Sequence, residues 1–463
     1  MRARSSLGPA AIAIVCLIAL AVQIYAFRWG VITPDTVAQY GQALSGNYDD
    51  WHPPIMAWIW RQLLHIKSGS APMLALDCIL YWLGLGLTAE ALRRAGNIWA
   101  AAGVLLIGLV PIPFGQMGSI LKDELLTALL LAACGLAATG GMRGKGTTPL
   151  AATLACLLLV IAAASRFNAV FAAAPLLLLT LSPGAWSKRW SVIAGLIAAG
   201  VFLAGTSFLI NRVMLKPDRT YPILSLVNFD LAGITVKSGR NVYPPAAGVD
   251  ASLVTRCYAP SQFNPTDARA CDPIEDQLGD ATVEAGKSPI RAWLSGMAAA
   301  PLAYAMHRLE HFNLNQRWLE RDLPDDAVYS MDTPNTLGLH FTPNVVGNEI
   351  CSWAQVIAES PMGRPATWLA IAAALLITGA GGRYRTFVRA LATSSMLYGA
   401  AYAIVSVAPD MRYNLWTMVG GMLALIVALA GGPIRSPRGI SAIFGWSLPA
   451  AVVAAEVAVM VAG

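Results

Sequence analysis

Apolar runs long enough to cross a bilayer recur along most of this chain, and their spacing limits the fold more than any motif does. A transmembrane helix needs about 20 mainly apolar residues. The first run extends from about Leu7 to Phe27, and others lie near 71–91, 98–113, 124–140, 149–165, 169–183 and 190–210. After a long polar interval, four more follow near 365–381, 386–407, 412–431 and 440–461. The pattern predicts an all-α polytopic membrane protein with about eleven transmembrane helices. A signal-peptide core is shorter, roughly 7–15 residues, and Gln23-Ile24-Tyr25-Ala26-Phe27 is a poor cleavage site, so the first run reads as a retained helix. Only 13% of the 463 residues are charged, while 56% are hydrophobic. That balance excludes a disordered chain, a soluble nucleic-acid binder and an ordinary cytosolic enzyme.

The net charge of +6 matters less than where the cations sit. Arg93-Arg94, Arg143 with Lys145, Lys188-Arg189, Arg383 and Arg385 with Arg389, and Arg435 with Arg438 fall in alternate turns that contain no acid. Cationic turns face the cytoplasm, so the N-terminus, Met1–Ser6, is expected inside. The outside then receives residues 28–70, the stretch around 111–123, residues 211–364 and the turn at Asp410. The chain divides into an N-terminal transmembrane module (1–210) with its first outer loop (28–70), an outer region (211–364) and C-terminal helices (365–463). The expected setting is the bacterial inner (plasma) membrane with the large loop periplasmic. Cys16, Cys78, Cys134 and Cys156 fall in apolar runs as small hydrophobes. Cys257 and Cys271 bracket a Pro- and Asp-rich stretch on the oxidising side, where a disulfide fits; Cys351 is the third outer cysteine.

Ionisable residues at the membrane surface of so apolar a chain are functional candidates. In the first outer loop, Thr33 is a plausible cap, Pro34 suits the first helical position, and Val37, Tyr40, Ala43 and Leu44 follow at helical spacing. The result is a helix lying along the bilayer surface. Asp35 sits in its first turn, either as a carboxylate favoured by the helix dipole or as a catalytic group. His52-Pro53-Pro54 would open a second surface helix flanked by Trp51, Trp58 and Trp60. His52 is read as a plain interfacial histidine or as part of the site. Asp49 and Asp50 read as solvated loop acids. Lys122-Asp123-Glu124 runs straight into an apolar helix; it is either a snorkelling lysine with neighbouring acids or a polar cluster facing the same cavity as Asp35. Arg166, near Asn168, and Arg412, in Asp410-Met411-Arg412-Tyr413, place cations on the outer side. Arginine's planar fork suits a lipid-linked phosphate there. Residues 288–312 read as one more interfacial helix, with Trp293, Met297, Leu302, Met306, Leu309 and Phe312 as its apolar stripe. Arg291, His307, Arg308 and Glu310 accompany that stripe, with packing the plainer role. His307 and His311, at i and i+4, have no nearby acidic ligand set and are a weak zinc signal.

The order and sidedness of these features resemble the GT-C membrane glycosyltransferases. The shared features are an early Asp in a first outer loop of two surface helices, then His-Pro-Pro, Lys-Asp-Glu at the outer start of the fourth span, and Asp-x-Arg-Tyr in a late outer turn. That class includes protein O-mannosyltransferases, aminoarabinose transferases of lipid A and bacterial transferases that decorate O-antigen. The resemblance implies a GT-C-type bundle and an inverting transfer of sugar from a polyprenyl-phosphate carrier to a glycan, lipid or polysaccharide acceptor. It implies Asp35 as general base and Arg412, Arg166 and Lys122 as binders of the donor phosphate. Asp123 and Glu124, with His52, match the second acidic site, which orients the acceptor; further candidates are Tyr40, Asp410, Tyr413, His307 and Arg308. No metal ligand set and no cofactor are called for, although oligosaccharide-transferring relatives bind a divalent cation (Mg or Mn) at the second acidic site. The chain lacks a Trp-Trp-Asp peptide-binding motif, which argues against a protein acceptor of that kind. A flippase of lipid-linked sugars would show internal repeats and midplane charges. A polysaccharide polymerase or ligase would show arginine-dominated outer loops.

Cysteines introduced singly within 211–364 are expected to react with a membrane-impermeant thiol reagent in intact cells. Labelling that appears only after permeabilisation would reverse the topology.

Overall fold

The computed structural model describes residues 8–142, 147–324, 326–432 and 440–461. The basic N-terminus Met1–Ser6 and Arg143, Lys145, Arg435 and Arg438 lie outside the described residues.

Every expected apolar run is helical where it is described. Helix α1 (Pro9–Ala26) leads to two short helices, α2 (Pro34–Ser45) and α3 (Ile55–Leu63). The bundle continues through α4 (Ala71–Arg94), α5 (Ile98–Gly108), α6 (Pro111–Gln116) and α7 (Lys122–Gly141). Then come α8 (Pro149–Ser165), α9 (Val170–Leu181) and α10 (Arg189–Phe208). The polar interval holds α11 (Ile223–Ser238), α12 (Ala251–Cys257), α13 (Asp272–Gly279), α14 (Pro289–Ala299), α15 (Pro301–Gln316) and α16 (Val345–Ala358). Helices α17 (Pro365–Thr378), α18 (Arg385–Val405), α19 (Leu415–Ala430) and α20 (Ile440–Val461) complete the chain.

The architecture is that of an all-α polytopic membrane protein. Among the described residues, six helices are long and apolar enough to cross a membrane, and five more are apolar but shorter. The 98–113 run is one of the short ones: α5 stops at Gly108 and the chain restarts as α6 at Pro111. Val110 is extended there (ψ 127°), as a residue before proline tends to be. At the other extreme, only 6% of an 18-residue apolar stretch of Arg189–Met214 is buried within the protein, so its apolar sides are left for lipid.

Helices α4 and α7 approach each other backbone to backbone at two glycines. A Cβ on Gly84 of α4 would lie 2.3 Å from the carbonyl carbon of Leu131 in α7, and one on Gly135 would lie 2.7 Å from the Gly84 carbonyl oxygen. Small residues let transmembrane backbones approach in this way.

The turns gather at two ends. At one end, Asn97 Nδ2 donates to the Tyr384 hydroxyl at 2.9 Å, Arg383 donates to the Ala95 carbonyl at 3.1 Å, and Arg389 donates to the Trp186 carbonyl at 3.1 Å. These are turns of the cationic set. At the other end, α2, the α6–α7 turn, the polar interval and the turn before α19 meet. There the Val31 N–H donates to the Gly118 carbonyl at 3.0 Å, and the Thr36 hydroxyl donates to the Ile120 carbonyl at 3.2 Å.

The polar interval differs from expectation in one respect. Residues 288–312 form two helices, α14 and α15, broken at Ala300 before Pro301. Leu302, Met306 and Leu309 are exposed, while His307 and Arg308 are buried. Cys257 and Cys271 form a disulfide.

Gly84→Leu is expected to force α4 from α7 and destabilise the protein by at least the ~1–3 kcal/mol typical of overpacking. The check is thermal unfolding of the detergent-solubilised protein, with Gly205→Leu, whose Cβ meets nothing within 4 Å, staying near wild type.

Candidate active site

Helix α2 starts where its sequence says it should. The Thr33 and Thr36 side chains each accept the other's backbone N–H at 3.2 Å, a capping box, with Pro34 next in line. This fixes Asp35 in the first turn. The contacts of Val31 and Thr36 with the α6–α7 turn then bring Asp35 beside the start of α7, where Lys122, Asp123 and Glu124 stand.

The Asp35 carboxylate is a quarter exposed, at 26%, and lies between two cationic arms. On one side, Arg412 Nη1 donates to Oδ2 at 3.1 Å. On the other, His52 Nε2 stands 3.5 Å from Oδ1, while Lys122 Nζ donates to His52 Nδ1 at 2.5 Å. A lysine donating to Nδ1 leaves the ring proton on Nε2, directed at Asp35. Burial alone would raise the Asp35 pKa, but the hydrogen bond from His52 and the charges of Arg412, His52 and Lys122 outweigh it and hold the carboxyl well below the usual range. Burial and the Lys122 charge push His52 below its ordinary value, against the opposing pull of Asp35.

Beyond Arg412 the charges alternate. Its Nε donates to Asp410 Oδ2 at 2.9 Å and lies 4.0 Å from Asp123. Asp123, almost wholly buried, pairs with Arg166. The Arg166 guanidinium lies 4.3 Å from the centre of the Tyr413 ring, and Tyr413 stacks on Tyr402 with 8° between planes. Tyr329, from the polar interval, donates its hydroxyl to Asp410 and stands under Arg412, 5.7 Å from ring centre to guanidinium.

The site therefore brings together Asp35, His52, Lys122, Asp123, Arg166, Asp410, Arg412 and Tyr413. Four other expectations change. Tyr40 is occupied elsewhere: its hydroxyl accepts the Gly69 N–H at 3.0 Å and its ring packs 5.1 Å from Trp60. His307 and Arg308 form a separate knot around Asp230, at 2.8 and 2.6 Å, which Trp293 joins at 2.6 Å. Glu124 is fully buried and forms no ion pair among the described residues. Asp50 is no solvated loop acid: it is buried, pairs with Arg212, and accepts from the Thr220 N–H and hydroxyl at 2.6 and 2.8 Å. Tyr329 lies in a stretch with no motif and gave no signal. Asp77 did give one, since a lone acid inside an apolar run is notable in itself; it is fully buried in α4.

The surroundings of Asp123 do not suit a divalent cation. The carboxylate of Asp123 already faces two guanidinium groups, and no group of three or more His, Cys, Asp or Glu residues suited to a metal occurs among the described residues.

No protein-family model matches the chain, and no curated protein matches it by sequence. By structure, the chain is similar to ArnT from Cupriavidus metallidurans bound to undecaprenyl phosphate, with a TM-score of 0.36 and 13% identity over 96% of this chain and 89% of that one. It is also similar to the Archaeoglobus fulgidus oligosaccharyltransferase tethered to an acceptor peptide, with a TM-score of 0.31 and 14% identity over 98% of this chain and 55% of that one. These are likenesses in overall helical course, and no residue role is transferred from them.

Asp123 and Glu124 are adjacent acids with opposite expected sensitivities. Asp123→Asn strands the buried Arg166 cation, and breaking a buried pair from one side costs about 3–5 kcal/mol. Its thermal midpoint in detergent should fall steeply, while Glu124→Gln, with no ion pair to lose, should stay close to wild type.

Proposed function

We propose that the protein is an inverting glycosyltransferase of the GT-C type. It moves a sugar from a polyprenyl-phosphate carrier to a glycan or lipid acceptor at the outer face of a bacterial plasma membrane, with Asp35 as general base. The observation that carries this reading is the Asp35–Arg412 pair. A partly exposed carboxylate stands 3.1 Å from a guanidinium fork, where the start of a surface helix meets the mouth of an apolar bundle.

In the transfer, the acceptor hydroxyl attacks the anomeric carbon from the face opposite the phosphate. A carbon–oxygen bond to the acceptor forms, the bond to the phosphate oxygen breaks with its electrons, and the hydroxyl proton passes to Asp35. The hydroxyl pKa lies far above 7, so a positioned base is needed as attack proceeds. Arg412 offers its planar fork to two phosphate oxygens. Lys122 adds a point charge, and both stabilise the leaving phosphate as its charge grows. Arg166, held between Asp123 and Tyr413, braces the cluster from below.

A carboxylate gripped by Arg412 is a weak base. The donor phosphate removes that restraint by drawing Arg412 to itself, and its own charge adds a negative neighbour. Both raise the proton affinity of Asp35. Donor arrival therefore arms the base, and an acceptor that arrives first meets a carboxylate too weak to activate it.

Asp35→Asn keeps the shape of the side chain but cannot take the proton. With polyprenyl-phosphate sugars as donors, its transfer rate is expected to drop by about 10²–10⁴ while donor binding persists. Asp49→Asn should remain near wild type. Retention of more than about a tenth of the rate, above the low end of that range, would reduce Asp35 to a helix-start carboxylate. Arg412→Lys should lose donor affinity, since a point charge does not replace a fork.

A further inference from the structure

The span that begins with α10 ends in a π-helical turn, Leu209–Met214, followed by a strap that returns over the first loop. The strap is held by backbone: Asp50 N–H donates to the Asp218 carbonyl at 3.0 Å, and Asp218 N–H to the Tyr48 carbonyl at 2.8 Å. Between strap and helix end lies a cavity of about 490 Å³. Arg212, Lys216 and Arg219 line it together with Phe208, Val213 and Tyr221.

Three features set this cavity apart from a solvated turn. First, its charge is one-sided. Asp50 is the only acid in the lining, and it is engaged by Arg212 and Thr220. Lys216 and Arg219 have no ion-pair partner among the described residues. Second, the helix end that carries Arg212 is apolar and bare: Phe208, which lines the cavity, is 63% exposed, and Val213 in the lining and Leu209 beside it are about half exposed. Third, Lys216 and Tyr221, both lining residues, hold positive φ angles of 45° and 53°. Such backbone costs about 1 kcal/mol or more for a side-chain-bearing residue and persists where surrounding structure enforces it.

We propose that this pocket binds the phosphate headgroup of an anionic membrane lipid, with the acyl chains lying along Phe208, Leu209 and Val213. Lys216 and Arg219 supply charge for phosphate oxygens, and Arg212 adds a fork already oriented by Asp50. The helix face beneath is open to the bilayer for almost its whole length. A soluble anion would use the cations and leave that face idle. Asp218, between these cations in sequence, is not among the lining residues, so the lining keeps three cations against the one engaged acid. The site does not depend on the assignment of Asp35. It does touch the same loop, because Asp50 is two residues before His52, about 7 Å of extended chain. A seated headgroup steadies the loop that holds His52 against Lys122.

The test titrates the full-length protein in neutral detergent with phosphatidic acid and with phosphatidylcholine of equal chain length, reading bound lipid by native mass spectrometry. Phosphatidic acid should bind more tightly than phosphatidylcholine. Lys216→Gln with Arg219→Gln should weaken phosphatidic acid about thirtyfold, the effect of removing two headgroup cations, without lowering the thermal midpoint, since both side chains are exposed. Inorganic phosphate at the same concentration should not displace the lipid. The proposal is overturned if the double variant binds like wild type, if phosphatidylcholine binds equally well, or if inorganic phosphate competes as effectively as the lipid. Loss of binding in Arg412→Ala, with the double variant unaffected, would place the lipid at Asp35 and also overturn it.

Discussion

The contact between Asp35 and Arg412 joins residues 377 positions apart, and the order of the other charges follows from it. Where a bundle of apolar helices ends, an unpaired charge is costly to hold. The chain answers by alternating signs: Lys122 and His52 flank Asp35 on one side, and Arg412 flanks it on the other, with Asp410 and Asp123 next and Arg166 last. Tyr413, Tyr402 and Tyr329 fill the space beside the guanidinium groups with ring faces, which attract cations. Three cations and three carboxylates in one row leave the cluster near neutrality, with the Asp35 side chain more open than those of Asp123, Asp410, Arg166 and Arg412.

The row is only as good as the backbone that aligns it. Four separate parts of the chain contribute, and each is pinned by main-chain contacts. Val31 and Thr36 hold the first loop to the α6–α7 turn. Ile32 exchanges hydrogen bonds with Met331 and Thr333, at 3.2 and 2.8 Å, which brings Tyr329 alongside. Met411 N–H donates to Asp326 at 3.2 Å, and Asp326 pairs with Arg317. Farther out, the Arg308 guanidinium reaches the Ser406 carbonyl at 2.7 Å, tying the Asp230 knot to the turn that carries Arg412. Much of the polar interval thus acts as a clamp on the turn before α19.

The sequence made the bundle legible because bilayer thickness sets one length, and apolar runs of that length show at once. The start of α2 was equally readable, since Thr33 and Pro34 act locally, although the return contact from Thr36 appeared only in the structure. The site was readable as a set of conspicuous charges but not as a set of partners. Lys122 and Arg412 stood out because cations at a span mouth are rare; that His52 joins Lys122 to Asp35 depends on how three loops fold together. Asp50 shows the limit most clearly. Its partner Arg212 lies 162 positions away, so nothing local distinguished it from its neighbour Asp49. The split between α14 and α15 was legible in Pro301 but was masked by a continuous apolar stripe.

That stripe also shows why periodicity alone misleads at a membrane surface. In a water-soluble helix the apolar face turns inward. In α15, Leu302, Met306 and Leu309 face outward and His307, Arg308 and His311 face in. The inward polar face finds partners on neighbouring segments: Asp230 takes His307 and Arg308, Tyr258 meets His307 at 2.9 Å, and His311 donates to the Pro260 carbonyl at 2.8 Å. A helix built this way gains little from water on its outer side, and an apolar medium there removes the cost of exposing three large side chains. The period of 3.6 residues therefore tells which residues share a face, while the partners available to the polar ones decide which face turns inward.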